Sequence, residues 1–134
     1  GNPEIKQRIR AIQRQMSLNR MMADIPQADV VITNPTTYAV ALRFKPNEMD
    51  APVVVAKGAR LTAQRIRDLA VEHGVPLVER PPLARALFTS LEIGQAVPED
   101  LFRAVAEVLA FIYEIDQREE KIRERKEYHV ASMA

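Results

Sequence analysis

The sequence has no cysteine, no tryptophan, two histidines and four glycines among its 134 residues, and aromatics make up only 5%. Without cysteine there are no disulfides, no thiolate catalysis and no Cys-ligated zinc, which agrees with a reducing compartment. His73 and His129 lie far apart, and His73 reads as a helix-end residue rather than a metal ligand because no ligand set with metal-site spacing surrounds it. No apolar run reaches the length of a membrane-spanning helix, and the first residues lack a signal-peptide pattern. An excess of one charge is also missing: 19 Lys and Arg stand against 18 Asp and Glu, a net charge of +1. That balance, with few aromatics for base stacking and no recognition-helix signature, argues against a nucleic-acid adaptor.

What is present suffices for one core. Apolar residues make up 47% of a chain whose length suits a single domain. The chain opens on Gly1-Asn2 rather than methionine, as either an excised fragment or a trimmed tag remnant would.

Residues 3–23 carry helical periodicity. Ile5, Ile9, Ile12 and Met16 form a narrow apolar stripe, surrounded by Lys6, Arg8, Arg10, Arg14 and Arg20. So thin a stripe predicts a helix projecting from the body. Either it lies near an anionic membrane or acidic partner, or it is a solvated helix with one packed edge; the residues alone favour the second. Pro26 ends it. Asp29–Thr33 (DVVIT), Tyr38–Phe44 (YAVALRF) and Pro52–Ala56 (PVVVA) read as strands, the last buried on both faces because it does not alternate. Gly58 opens a turn into a helix over Leu61–His73, with Leu61, Ile66, Leu69 and Ala70 inward and Gly74 beyond its end. Pro76–Glu79 is a short strand, which makes Val53–Val78 a right-handed βαβ unit by default. Arg80-Pro81-Pro82 breaks the chain before a short helix, Leu83–Leu91. The last helix starts at Pro98-Glu99-Asp100 and shows a wide apolar face of Leu101, Val105, Val108, Leu109, Ile112 and Ile115. After Asp116 the run QREEKIRERKEY has one aliphatic residue, Ile122, and reads as a solvated extension open to fraying, with Glu114–Arg118 and Glu119–Arg123 as candidate stabilising pairs. The fold class is α/β: a small mixed, mostly parallel sheet of four to five strands, about four helices around it, and the projecting N-terminal helix.

Between the first two strands stands TNPTTYAV (Thr33–Val40). Asn-Pro is ordinarily a turn. Its chemistry is nonetheless unusual, because Pro35 has no N–H and cannot attack the Asn34 side chain as the next residue otherwise does. The route left is reversed: the Asn34 carboxamide nitrogen attacks the Asn34 backbone carbonyl, closes a succinimide and expels Pro35 as a new N-terminus. A carboxamide is a weak nucleophile, so alignment must supply most of the rate; near-attack geometry is worth up to roughly 7–11 kcal/mol. A tight turn fixed by strands on both sides supplies such alignment, and donors to the developing oxyanion add to it.

Weaker signals stand beside this one. AKGARLT (Ala56–Thr62) has Lys57 and Gly58 before a helix, an arrangement able to hold a phosphate, but without Walker spacing. PPLARAL orients a helix more readily than it binds a partner. Asp100, Glu107 and Glu114 fall on the polar side of the last helix and read as solvated.

The segments ADVVITNPTTYAVALRF, APVVVAKGARLTAQRIRDLAVEHGVPLVERPPLARALF and EIGQAVPEDLFRAVAEVLAFIY resemble the cytoplasmic domain of the FlhB/YscU family, the export-switch proteins of flagella and type III secretion systems, in wording nearer the flagellar branch. The resemblance covers Gly1 to Tyr113. It implies self-cleavage between Asn34 and Pro35, followed by Thr36 and Thr37, with the fragments staying associated while the export gate turns from rod-and-hook to filament substrates. It implies no enzyme beyond a single autocatalytic turnover, and no cofactor or metal. The implied partners are other export components, exported substrates and a hook-length-control protein, with no nucleic acid. It implies a soluble segment at the cytoplasmic face of the bacterial inner membrane, with transmembrane helices upstream. Residues 1–25 become a linker helix toward the membrane, reversing the solvated-helix preference; 26–116 become the switch domain and 117–134 its charged extension. A passive, non-cleaving interaction domain remains the alternative. One position departs from the family signature: its fourth place is histidine, here Thr37. A general base is typically worth about 10²–10⁴-fold, so cleavage is expected to be slowed.

Overall fold

The computed structural model describes residues 1–133. Helix α1 (Pro3–Asp24) starts behind an Asn2 cap, whose side-chain oxygen accepts from the Glu4 N–H at 2.8 Å, and ends in a 3₁₀ turn at Ile25–Gln27. Strands β1 (Val30–Asn34), β2 (Tyr38–Arg43) and β3 (Val53–Ala59) follow, then α2 (Leu61–Glu72), β4 (Leu77–Glu79), α3 (Pro81–Ser90) and α4 (Glu99–Met133). The four strands form one open mixed sheet in the order β3-β2-β1-β4. An α/β fold with four helices and a four-stranded mixed sheet agrees with the sequence reading.

Strand directions do not. β2 pairs antiparallel with both β1 and β3, and only β1–β4 is parallel. Parallel neighbours need a crossover of a dozen or more residues, and the β1–β2 and β2–β3 connections are too short for one. β3 and β4 run the same way but sit at opposite edges, so α2 crosses two intervening strands instead of joining neighbours. The outer edge of β3 is taken by the 94–97 segment: Val54 N–H donates to Gln95 O at 3.0 Å and Gly94 N–H to Val54 O at 2.7 Å. β3 itself alternates between buried and half-buried, as a strand near an edge does, and is not covered on both faces.

The sheet separates two cores. On one face Val31, Ala39, Ala41 and Ala56 meet Ile66 and Ala70 of α2 and Met21, Met22 and Ile25 at the end of α1. On the other, Val30, Ile32, Val40, Leu42 and Val78 meet Ala84 and Leu87 of α3 and Val105 and Val108 of α4. Gly58 lies within β3, not in a turn; a Cβ there would come 2.5 Å from Thr62 Cγ2, so glycine lets α2 approach the sheet.

Three further expectations, on Leu61, α3 and α4, are revised. Leu61 is 86% exposed because the turn before α2 is made at Arg60, and the inward face begins at Ala63. α3 starts at Pro81, so the two prolines occupy its first turn, where a missing N–H costs nothing. The projecting helix agrees with the sequence reading: Ile5, Ile9, Ile12 and Met16 are about half exposed, and α1 packs on the body at its end, through Leu18, Met21 and Met22. α4 runs unbroken to Met133, exposed beyond Gln117, and its ion pair among the described residues is Arg103–Glu107 rather than the two expected pairs.

Candidate functional site

Asn34 closes β1 and Tyr38 opens β2, and the two are directly paired. The three residues between them make a tight turn in which Thr37 N–H donates to Asn34 O at 3.0 Å. Proline at the second position, positive φ at the third and this closing bond describe a type II turn. Its third residue is Thr36 at φ 66°, where glycine is usual. A left-handed non-glycine residue costs on the order of 1–2 kcal/mol, so the turn is held under strain by the strands around it.

Neighbouring segments fix the turn from outside. Arg60 N–H donates to Thr37 O at 2.9 Å, and Arg80 N–H donates to Thr33 O at 3.0 Å. Arg60 is itself left-handed, at φ 52°, where the chain leaves β3 for α2. The backbone of Thr37 is thus held at both of its polar groups, its oxygen by Arg60 and its N–H by the Asn34 carbonyl. That carbonyl belongs to the Asn34–Pro35 bond. Its oxygen accepts one backbone donor, the ordinary closing bond of the turn, and that donor points at the atom on which charge would build if the carbonyl carbon were attacked.

Asn34 and Thr37 are half-buried, while Pro35 and Thr36 are exposed. Alternation along β1 puts Asn34 on the face of Val30 and Ile32, which is the α3 side. No side-chain hydrogen bond among the described residues ties down the Asn34 carboxamide or the Thr37 hydroxyl. The carboxamide is therefore not locked away from its own carbonyl. All four predicted site residues fall in this one turn.

The phosphate reading of AKGARLT does not hold. Lys57 Nζ donates to Phe88 O at 3.0 Å and lies 3.8 Å from Glu92 Oε1, so it is engaged on the α3 side. His73 caps the end of α2 and is exposed. It lines an open groove of about 570 Å³ with Phe44, Leu109, Tyr113 and Asp116, at the other end of β1 from Asn34. No helix of the described residues is long and apolar enough to cross a membrane, and no metal-ligand cluster is found among them.

A family model described as the FlhB HrpN YscU SpaS family matches residues 1–112. The chain belongs to this family. The FlhB-type match is extensive: flagellar biosynthetic protein FlhB of Yersinia enterocolitica is 56% identical over 115 residues, covering 86% of this chain and 30% of that protein. The chain therefore spans about a third of the length of the curated FlhB relatives it matches. The crystal structure of the cytoplasmic domain of FlhB from Shewanella putrefaciens superposes with a TM-score of 0.74 at 41% identity, covering 78% of this chain and 80% of that one. The family resemblance read from the sequence is correct, on the flagellar branch. An Asn-to-Ala variant of the EscU C-terminal domain is also similar, with a TM-score of 0.66 and 32% identity, covering 69% of this chain and 92% of that one. Other solved forms of that EscU domain replace the proline after this asparagine, or a histidine two residues beyond the proline.

Sequence reasoning found the FlhB-family turn but not its supports. Arg60 was hidden because Gly58 looked like the turn residue. Tyr38, Phe88 and Lys57, which meet beside the turn, carried no joint signal across a separation of 50 residues.

Proposed function

We propose that this chain is the cytoplasmic portion of a flagellar export-switch protein, and that it acts by cutting its own Asn34–Pro35 bond. The Asn34 carboxamide nitrogen forms a bond to the Asn34 carbonyl carbon, the bond to Pro35 nitrogen breaks, and the carboxamide proton ends on that nitrogen. The reaction needs no external substrate and happens once. The observation that carries this reading is the Asn34 carbonyl, held by Thr37 N–H at 3.0 Å within a strained turn. The substitutions studied in EscU support it, because their Asn-Pro-x-His spacing matches Asn34-Pro35-Thr36-Thr37.

The pieces are expected to stay together. β1 and β2 are paired along their lengths, and Val40, Ala41 and Leu42 are fully buried. Burying each large apolar side chain contributes about 1.5–3 kcal/mol. Cleavage would then remodel the surface at Asn34–Tyr38 without dissociation, which suits a change in the class of protein exported. The site of action is the cytoplasmic face of the inner membrane, α1 leads toward segments outside this chain, and the partners are exported proteins and other export components.

Denaturing electrophoresis with intact mass measurement tests this. The expected products are a fragment beginning at Pro35 and one ending at Asn34, the latter first lighter by one water as the cyclic imide. Asn34→Ala should give uncut chain only; a Pro35 fragment from that variant would overturn cyclisation. A second reading, a passive non-cleaving interaction domain, is favoured by one observation, the absence of an imidazole at Thr37. Export behaviour unchanged by Asn34→Ala would support it.

A further inference from the structure

On the α3 side of the sheet, a row of side chains leads from β3 to the turn. Lys57 Nζ donates to Phe88 O at 3.0 Å and sits 4.9 Å from the centre of the Phe88 ring. The Lys57 side chain is only 18% exposed, so this cation is held, not freely solvated. The Phe88 ring stacks on Tyr38, with centroids 4.3 Å apart and planes 23° from parallel. Tyr38 lies directly opposite Asn34 in the β1–β2 register. Directly opposed residues share a face, with Cβ atoms about 4.5–5.5 Å apart. The Tyr38 side chain therefore borders the space in which the Asn34 carboxamide turns.

That space needs a wall. No side-chain hydrogen bond among the described residues holds the carboxamide. Left alone, it would divide its time among the staggered wells, and attack requires the nitrogen turned back toward its own carbonyl carbon. Thr37 brings no imidazole to hold it there. Steric confinement by a fixed neighbour is the means that remains. A ring stacked on Phe88, which is itself held by Lys57, confines far better than a freely rotating one.

We propose that Tyr38, braced by Phe88 beneath Lys57, is a positioning residue for cleavage at Asn34–Pro35, restricting the Asn34 carboxamide to orientations that face its own carbonyl. Tyr38 takes no part in bond making or breaking, so its ring matters and its hydroxyl does not. This inference rests on the cleavage reading above.

The test is a time course of Pro35-fragment formation after cell-free synthesis, by intact mass, for the unsubstituted chain and for the Thr37→His chain, with melting temperatures in parallel. Tyr38→Ala should slow cleavage about 10–100-fold, and Phe88→Ala about tenfold. Tyr38→Phe should remain within about twofold. The double variant should be no slower than Tyr38→Ala, since Phe88 acts through Tyr38. Val105→Ala, in the same core but away from the turn, should lower the melting temperature and leave the rate unchanged. Should Tyr38→Ala not fold, Tyr38→Leu carries the same comparison. Cleavage of the Tyr38 variants at the unsubstituted rate, slowing shared by Val105→Ala, or additive slowing in the double variant would overturn the positioning role alone. Absence of any Pro35 fragment from both parent chains would overturn the cleavage reading and this inference with it, and that result is visible before any Tyr38 variant is compared.

Discussion

Strand β2 takes part in two antiparallel hairpins, and the two connections are built in opposite ways. Toward β1 the chain reverses in three residues, accepts a left-handed threonine, and is gripped by backbone donors from Arg60 and Arg80. Toward β3 it uses residues 44–52, turning through relaxed bonds in which Glu48 and Met49 N–H both reach Lys45 O at 2.9 Å. Asp29 anchors that loop, accepting from Phe44 N–H and from Lys45 Nζ, each at 2.7 Å. The same sheet thus accommodates a loose reversal at one end and a strained one at the other. Strain at Asn34–Thr37 is therefore not a general requirement of joining these strands; it belongs to the turn that carries the unusual bond.

The contrast can be sharpened by substitution. The largest effect is expected at Thr37→His, which supplies the missing base and should speed formation of the Pro35 fragment by about 10²–10⁴-fold, read by quenched time course. Complete cutting of the unsubstituted chain within minutes of synthesis would refute the idea that Thr37 slows it. At the relaxed hairpin, Asp29→Ala should cost about 1–2 kcal/mol in chemical denaturation, from a lost backbone bond and a half-exposed ion pair, with no change in cleavage rate. A cleavage defect there would mean the two ends are coupled. Smallest is Thr36→Gly. Relief of the left-handed backbone, partly offset by glycine's freedom in the unfolded chain, should stabilise the uncut protein by about 0.5 kcal/mol. The same relief should slow cleavage about twofold, because the relaxed turn has less strain to release.

Much of this was legible in the sequence. β-branched runs on either side of Asn34-Pro35 marked β1, β2 and the turn, and the proline itself excluded the ordinary fate of asparagine. Strand direction differs from the mostly parallel expectation because the strand–helix–strand order at Val53–Val78 governs one crossover only, whereas the short connections either side of β2 demand antiparallel pairing. Leu61 stands five residues before Ile66, about 140° round a helix of 3.6 residues per turn, so it faces away from the buried side of Ala63, Ile66 and Ala70. The phosphate reading failed for a different reason. The nearest strong partner of Lys57 is Phe88, whose approach depends on how α3 folds back across the sheet, and local sequence does not encode that. The strain at Thr36 and Arg60 was likewise invisible, since neither is glycine and only the surrounding hydrogen bonds hold them there.

The left-handed backbone at Thr36 has a consequence for direction in time. Once the neighbouring amide is severed, that residue can fall back into an ordinary conformation, and rejoining would require both remaking the amide and forcing the residue left-handed again. If the proposed cleavage occurs, the arrangement would behave as a fuse rather than a valve: each molecule would record one event, and only newly synthesised chains would restore the starting condition.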